Sequence, residues 1–240
     1  MIEAVLFDLD DTLHDDTRTY RRAAERVANE VAAERGVDAR RLFEGYVREA
    51  ENFWQTLSPQ AFNVPLVGLR ARMWATALRS VGLDDARLAE RCGAAYNEYR
   101  RAYLQLWPGA LQLLLSLRAR GCKLALITNG MAETHREKIV LLQLEDVFDE
   151  IFIADEVGLI KPDVRLFALA AQRLGVPAER CAMVGDRYER DVRGAHDAGM
   201  FTVWVNVRDE ALPPGAPAPD VIVGGIAEVE AALPLRPSGT

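Results

Sequence analysis

Three aspartates, Asp8, Asp10 and Asp11, fall within four positions of the stretch VLFDLDDTL, residues 5–13. The apolar start reads as a buried strand, and carboxylates at its end are partly desolvated and repel one another. Along an extended strand alternate side chains share a face, so Asp8 and Asp10 are expected on one side, about 6.5–7 Å apart, with Asp11 pointing elsewhere. Such a pair needs a cation nearby. Thr128-Asn129-Gly130, Lys161 in GLIKPD, and Asp186 and Asp191 in GDRYERD each follow another short apolar run. If those runs are parallel strands, their carboxyl ends share one edge and all these residues converge in one crevice. Three or more carboxylates there imply a hard divalent cation, and an oxygen-only set suits Mg²⁺ better than zinc. Thr128, the N–H groups that follow it and Lys161 supply donors for a dianionic cluster of oxygens, so the set describes a phosphate site. Asp11, Asp15 and Asp16 read as turn residues, a common use of aspartate after a strand.

The runs that must position these residues are residues 3–8, KLALIT (123–128), IFIA (151–154), CAMVG (181–185), TVWVN (202–206) and DVIV (220–223). Each is too short for a helix, and continuous apolar runs separated by helical-period segments are what a parallel sheet buried on both faces requires. The expected class is α/β: a doubly wound parallel, Rossmann-like sheet with an inserted α-helical domain. Residues 1–13 and 106–240 would form the core. Residues 14–105 contain no strand-like run and divide into four amphipathic helical stretches, ending near Gly36, Ser58-Pro59, Gly82 and Trp107-Pro108, the third starting about Pro65. Inserted after the aspartate-bearing strand, this all-helical unit would emerge at the ligand-binding edge as a cap. The helical spacing of Phe53, Trp54, Trp74, Tyr96 and Tyr99 favours packing over a substrate pocket. The polar loop WQTLSPQAFNVP offers Gln55, Gln60 and Asn63 either as substrate contacts or as a solvated connection. Residues 212–219, rich in proline, read as an extended connection, and IAEVEAAL as a final helix.

With 240 residues, half of them apolar and 27% charged, the chain has the composition of a globular protein with a sizeable core. A net charge of -7 and the lack of a basic tract exclude a nucleic-acid polymer as partner. No apolar run is long enough to span a bilayer, and acids interrupt the N-terminus before a signal-peptide pattern develops, so a cytoplasmic protein with no membrane partner is expected. Cys92, Cys122 and Cys181 have no metal or redox spacing and read as buried thiols. His14, His135 and His196 show no ligand spacing and read as surface or packing residues. Neither GxGxxG after the first strand nor GxxxxGK[ST] occurs, which argues against dinucleotide chemistry.

DLDDT, Thr128-Asn129, Lys161-Pro162 and GDRYERD, in that order and each after a strand, resemble the four motifs of the haloacid dehalogenase superfamily of hydrolases, and the helical insertion resembles the cap that superfamily places between its first two motifs. The wording TNG and DEIFIADEVGLIKPDVRLF looks most like the branch containing pyrimidine 5′-nucleotidases and the N-acylneuraminate-9-phosphatase. The resemblance implies a phosphatase in which Asp8 is the nucleophile, Asp10 the general acid and base, and Thr128, Asn129, Gly130 and Lys161 bind the transferring phosphate. It further implies Mg²⁺ held by Asp8, the backbone carbonyl of Asp10 and Asp186, with Asp191 ordering the metal shell. The substrate would be a small phosphorylated metabolite, such as a nucleotide or sugar phosphate, and the protein a monomer or homodimer. A phosphomutase, a 2-haloacid dehalogenase and an idle binding protein of the same fold are the alternatives. An acid at Asp10 argues against the dehalogenase, because a phosphate ester needs a proton for its leaving oxygen.

Overall fold

The computed structural model describes residues 1–56 and 68–235 of the chain. Two compact units emerge: Met1–Asp15 with Gln105–Thr240, and Asp16–Leu104. In chain order the first unit opens with β1 (Ala4–Phe7). The second follows with α1 (Asp16–Arg35), α2 (Ala39–Gln55), α3 (Leu69–Ser80) and α4 (Ala86–Tyr103). The first unit then resumes with α5 (Ala110–Ala119), β2 (Lys123–Thr128), α6 (Ala132–Leu141), β3 (Glu150–Ile153), α7 (Ala154–Val157) and α8 (Val164–Leu174). It closes with β4 (Cys181–Gly185), α9 (Arg193–Asp197), β5 (Phe201–Val205), β6 (Val221–Val223) and α10 (Val229–Ala232).

The strands form one six-stranded sheet in the order β3-β2-β1-β4-β5-β6. All five pairings are parallel, as expected for a doubly wound α/β domain. β1 lies at the centre, with Leu6 opposite Ala125 on one side and Met183 on the other. Its four residues are fully buried, which is why the strand reads as unbroken apolar sequence rather than an alternation. The chain order reverses direction between β1 and β4, so the crevice where such sheets bind ligands opens beside the carboxyl ends of these two strands. One face of the sheet packs Leu6, Ile127 and Met183 against Leu166, Phe167 and Leu174 of α8. That helix starts where the Asp163 side chain accepts the Arg165 N–H and stops at Gly175, as its sequence punctuation predicts.

The helical unit is held by its own core. Tyr46 of α2 stacks on Trp74 of α3 at 4.2 Å between ring centroids and tilts against Tyr96 of α4 at 5.0 Å. Leu42, Leu78 and Leu88 complete it; full burial of each such side chain contributes about 1.5–3 kcal/mol. Trp74 and Tyr96 are thus packing residues, in line with their helical spacing. Asp38 and Asp85 cap α2 and α4 by accepting the N–H groups of Arg41 and Leu88.

Local differences from the sequence reading are small. α3 is described from Leu69, and the start expected about Pro65 lies outside the described residues. The expected last helix is a single turn at Ile226–Glu228 followed by the short α10. Gln60 and Asn63 lie outside the described residues, while Gln55 is the last residue of α2. All three cysteines are buried free thiols, and burial pushes Cys92 and Cys181 up to about 11. Among the described residues no helix is long and apolar enough to cross a membrane.

Candidate active site

β1 ends at Phe7, but the Asp8 N–H still donates to the Val184 carbonyl of β4 at 3.0 Å, which fixes Asp8 at the central edge of the sheet. Lys161 reaches it from the loop before α8: Nζ donates to Asp8 Oδ1 at 2.7 Å and to the Ile127 carbonyl at 2.8 Å, and lies 2.6 Å from Asp191 Oδ1. Asn129 holds that loop by a reciprocal pair of bonds, its amide donating to the Lys161 carbonyl at 2.9 Å and its Oδ1 accepting the Lys161 N–H at 2.8 Å. Thr128, the last residue of β2, is buried beside them. The Lys161-Pro162 bond is cis.

Asp186 follows β4, and its backbone carbonyl accepts the indole N–H of Trp204 at 2.9 Å. Asp191 lies in the turn Tyr188–Val192, where Oδ2 accepts the Arg187 N–H at 2.9 Å. Gly185 must lack a side chain, because a Cβ there would stand 2.4 Å from the Asp191 carboxyl group. Asp8, Asp186 and Asp191 are all buried and each offers a carboxylate oxygen within 4.8 Å of the others. Burial pushes the Asp8 carboxyl up to about 7, against the pull of Lys161, with Asp191 adding to the rise. Burial and the charges of Asp8 and Asp191 push Asp186 up to about 8. Lys161 shifts upward despite its burial, since Asp191 and Asp8 outweigh the cost of desolvating it. Asp186 Oδ1 is buried without a hydrogen-bond partner. An orphaned carboxylate oxygen among three converging carboxylates fits a hard divalent cation, and the all-oxygen donor set fits Mg²⁺.

Asp10 has a different neighbourhood. The chain does not remain extended past Phe7: Leu13 N–H turns back to the Leu9 carbonyl at 3.0 Å and Asp10 forms an isolated bridge with His14. Strand alternation therefore does not explain where Asp10 points. Lys138 of α6 donates to both of its oxygens, at 2.7 and 2.8 Å, while His14 Nε2 lies 2.8 Å from Oδ1 and His135 Nε2 3.3 Å from Oδ2. Although burial raises its pKa, Lys138 and the two histidines prevail and hold the carboxyl well below the usual carboxylate range.

The reading of His14 and His135 as surface or packing residues needs correction: both are buried and turned onto Asp10, whereas His196 is exposed. The available signal was the spacing of His135 and Lys138, three apart on one helix just after TNG. Asp11 is a turn residue with φ +62°, as expected, yet it also accepts the Arg208 guanidinium at 2.5 Å. Arg208 donates to Asp186 Oδ2 at 2.9 Å as well, bridging the two carboxylates from the loop after β5. Nothing in the sequence pointed to Arg208.

The profile of the haloacid dehalogenase-like hydrolases matches residues 2–199. The chain belongs to this family. Over 206 residues it is 36% identical to a glyceraldehyde 3-phosphate phosphatase of Methanopyrus kandleri, covering 85% of this chain and 84% of that one. It is 36% identical to a phosphoserine phosphatase of Thermus thermophilus, covering 95% and 98%. The human N-acylneuraminate-9-phosphatase, from the branch suggested by the wording of the motifs, is 30% identical with 97% and 94% covered. Among solved structures, a 2-haloacid dehalogenase from Pseudomonas syringae superposes with a TM-score of 0.64 at 29% identity, over 97% of this chain and 98% of that one.

Proposed function

We propose that this protein is a Mg²⁺-dependent phosphomonoester hydrolase acting on a small phosphorylated metabolite through an aspartyl-phosphate on Asp8. The observation that carries this reading is the Lys161 ammonium bound to Asp8 and Asp191 beside the unpartnered Asp186 oxygen. One ammonium answers two carboxylates, so a further cation completes the charge balance. The names of the three relatives, all phosphatases of small monoesters, support the substrate class.

In the first step an Asp8 oxygen bonds to phosphorus as the bond to the leaving oxygen breaks, and Asp10, which takes up a proton once the negative charge of the bound ester offsets Lys138, delivers it to that oxygen. In the second, Asp10 takes a proton from water, which attacks phosphorus and releases inorganic phosphate and the Asp8 carboxylate. The Thr128 hydroxyl and the N–H groups of Asn129 and Gly130 bind the nonbridging oxygens, while Lys161 neutralises the transferring group. Asp8, the Asp10 backbone carbonyl and Asp186 would hold Mg²⁺, with Asp191 ordering them, and the bound ion supplies the positive charge that lets a phosphate dianion approach a carboxylate. Residues 14–105 act as a cap that selects the substrate. An acid at position 10, held by Lys138 and two histidines, favours phosphate ester cleavage over dehalogenation, which requires no proton for a leaving oxygen.

A screen of nucleotides, sugar phosphates, phosphoglycolate and phosphoserine with Mg²⁺, repeated with chelator, tests the proposal. Turnover of at least one ester that stops on chelation is expected; activity surviving complete chelation would overturn the mechanism. Removing the cap should leave a folded core that attacks tiny esters without selectivity, and an unchanged substrate ranking would count against the cap's role.

A further inference from the structure

The second aspartate of the motif is held more elaborately than a proton carrier on a solvated turn requires. Its side chain is 28% exposed, but the groups behind it are nearly closed to solvent: His14 at 0%, His135 at 4% and Lys138 at 5%. A carboxylate on a turn has two soft torsions, and contacts to both oxygens fix both. Lys138 donates to both oxygens and His14 Nε2 lies 2.8 Å from Oδ1, while His135 Nε2 stands 3.3 Å from Oδ2, in contact but without a hydrogen bond in this geometry. His135 is oriented in turn by the Met131 carbonyl, 3.2 Å from Nδ1. A carbonyl only accepts, so Nδ1 carries a hydrogen; Nε2 faces Asp10, and since a carboxylate also only accepts, the ring holds it through Nε2 when that nitrogen carries a hydrogen as well.

The ring also fills the space that a side chain at residue 130 would occupy. A Cβ built on Gly130 would stand 1.7 Å from Cε1 of His135 and 2.3 Å from Nδ1. The backbone there is pinned, because the Gly130 carbonyl accepts the Asp155 N–H at 3.2 Å and Asp155 Oδ2 accepts the Ala132 N–H at 2.8 Å. Any side chain at 130 must therefore expel the imidazole, which is the movable partner. The loop carrying Thr128 and Asn129 is thereby tied to the carboxylate on the far side of the ring.

We infer that His135 and Lys138 are positioning residues that aim the Asp10 carboxylate, and that residue 130 is glycine because the His135 ring occupies its side-chain space. The inference rests on the proposed phosphatase reading and adds to it the residues that direct the proton carrier. A histidine present only for packing would affect all substrates alike. A positioning residue acts only where the leaving oxygen needs a proton: poor alkyl leaving groups suffer, and a good aryl leaving group does not.

The test is a leaving-group series from 4-nitrophenyl phosphate to alkyl phosphates, measured as kcat and KM for the wild type and for His135→Ala, Lys138→Met, Lys138→Arg, Gly130→Ala and the double variant Gly130→Ala/His135→Ala. His135→Ala and Lys138→Met should lower kcat on alkyl esters by roughly 10- to 100-fold, the scale of a misplaced catalytic group, and change 4-nitrophenyl phosphate by less than about threefold. Lys138→Arg should restore most of the loss. In the ratio of alkyl to 4-nitrophenyl kcat, which cancels any loss of phosphate binding by the loop, Gly130→Ala should fall as His135→Ala does, and the double variant should fall no further, since the ring that alanine would strike is gone. An equal fall across the whole series for His135→Ala and Lys138→Met, or falls in the alkyl-to-aryl ratio from Gly130→Ala and His135→Ala that multiply in the double variant, would overturn the positioning role and leave the phosphatase reading standing. A folded wild type inert on every ester would overturn that reading, and this inference with it.

Discussion

Asp8 and Asp10 are two residues apart in one motif, yet their surroundings push them in opposite directions. Asp8 sits among buried carboxylates with Lys161 as its cation, and burial pushes its carboxyl up to about 7. Asp10 is partly open and held well below the usual range by Lys138 and two histidines, which outweigh the effect of its burial. Carboxylates whose environments separate their proton affinities are suited to separate tasks. The comparison teaches that charge count alone does not assign roles here: the acid with the closest company of like charges is the one that benefits from a divalent cation, and the acid that has an ammonium of its own and two imidazoles beside it is the one free of that need.

The sharpest way to break this division is to exchange its parts. Asp8→Asn should reduce turnover by about 10⁴-fold or more on every ester, because no other group replaces a covalent nucleophile. Near-wild-type rates in a steady-state assay would assign the nucleophile elsewhere. Lys161→Met should follow, with kcat lower by about 10²- to 10³-fold, since the transferring group loses a preorganised cation and Asp8 its partner. A change confined to KM would make Lys161 a binding residue only. Asp10→Asn should cost about 10²- to 10⁴-fold on alkyl phosphates and much less in the first step with 4-nitrophenyl phosphate, as burst kinetics would resolve.

A fourth prediction concerns stability. The Asp8 and Asp186 carboxyls rise from an ordinary 3.8 to about 7 and about 8 in the folded chain. Between these values the folded protein binds more protons than the unfolded chain, so with divalent ions chelated its stability should fall as pH rises from about 4 to about 8. Added Mg²⁺ should flatten that decline, because it stabilises the ionised carboxylates. Urea midpoints across this range, with and without Mg²⁺, check the sign; a chelated protein that gains stability toward pH 8 would contradict it. The smallest expected effect is that of Trp204→Phe, which leaves the Asp186 carbonyl without its indole donor and should cost about 1–3 kcal/mol by chemical denaturation.

Much of this was legible in the chain because a parallel sheet buried on both faces writes itself as short unbroken apolar runs, and because its carboxyl ends collect Asp8, Thr128, Lys161 and Asp186 at one edge whatever their separation in sequence. The side to which Asp10 turns was not legible, since the chain leaves extended geometry after Phe7 and alternation no longer applies. His14 and His135 were misjudged for a related reason. Their common partner is Asp10, and the distances between them in sequence carry no ligand pattern, so only the docking of α6 beside the turn after β1 brings them together. Arg208, from a loop with no motif, meets Asp11 and Asp186 only in three dimensions.

The division of labour between the two aspartates is tested most directly by trapping the phosphoryl group. Asp10→Asn protein mixed with 4-nitrophenyl phosphate and Mg²⁺, quenched in acid and mapped by mass spectrometry, should carry one phosphoryl group on Asp8, because the first step proceeds while water is no longer activated. Phosphate found on another residue, or 4-nitrophenol released at a steady rate with no adduct on Asp8, would contradict the account.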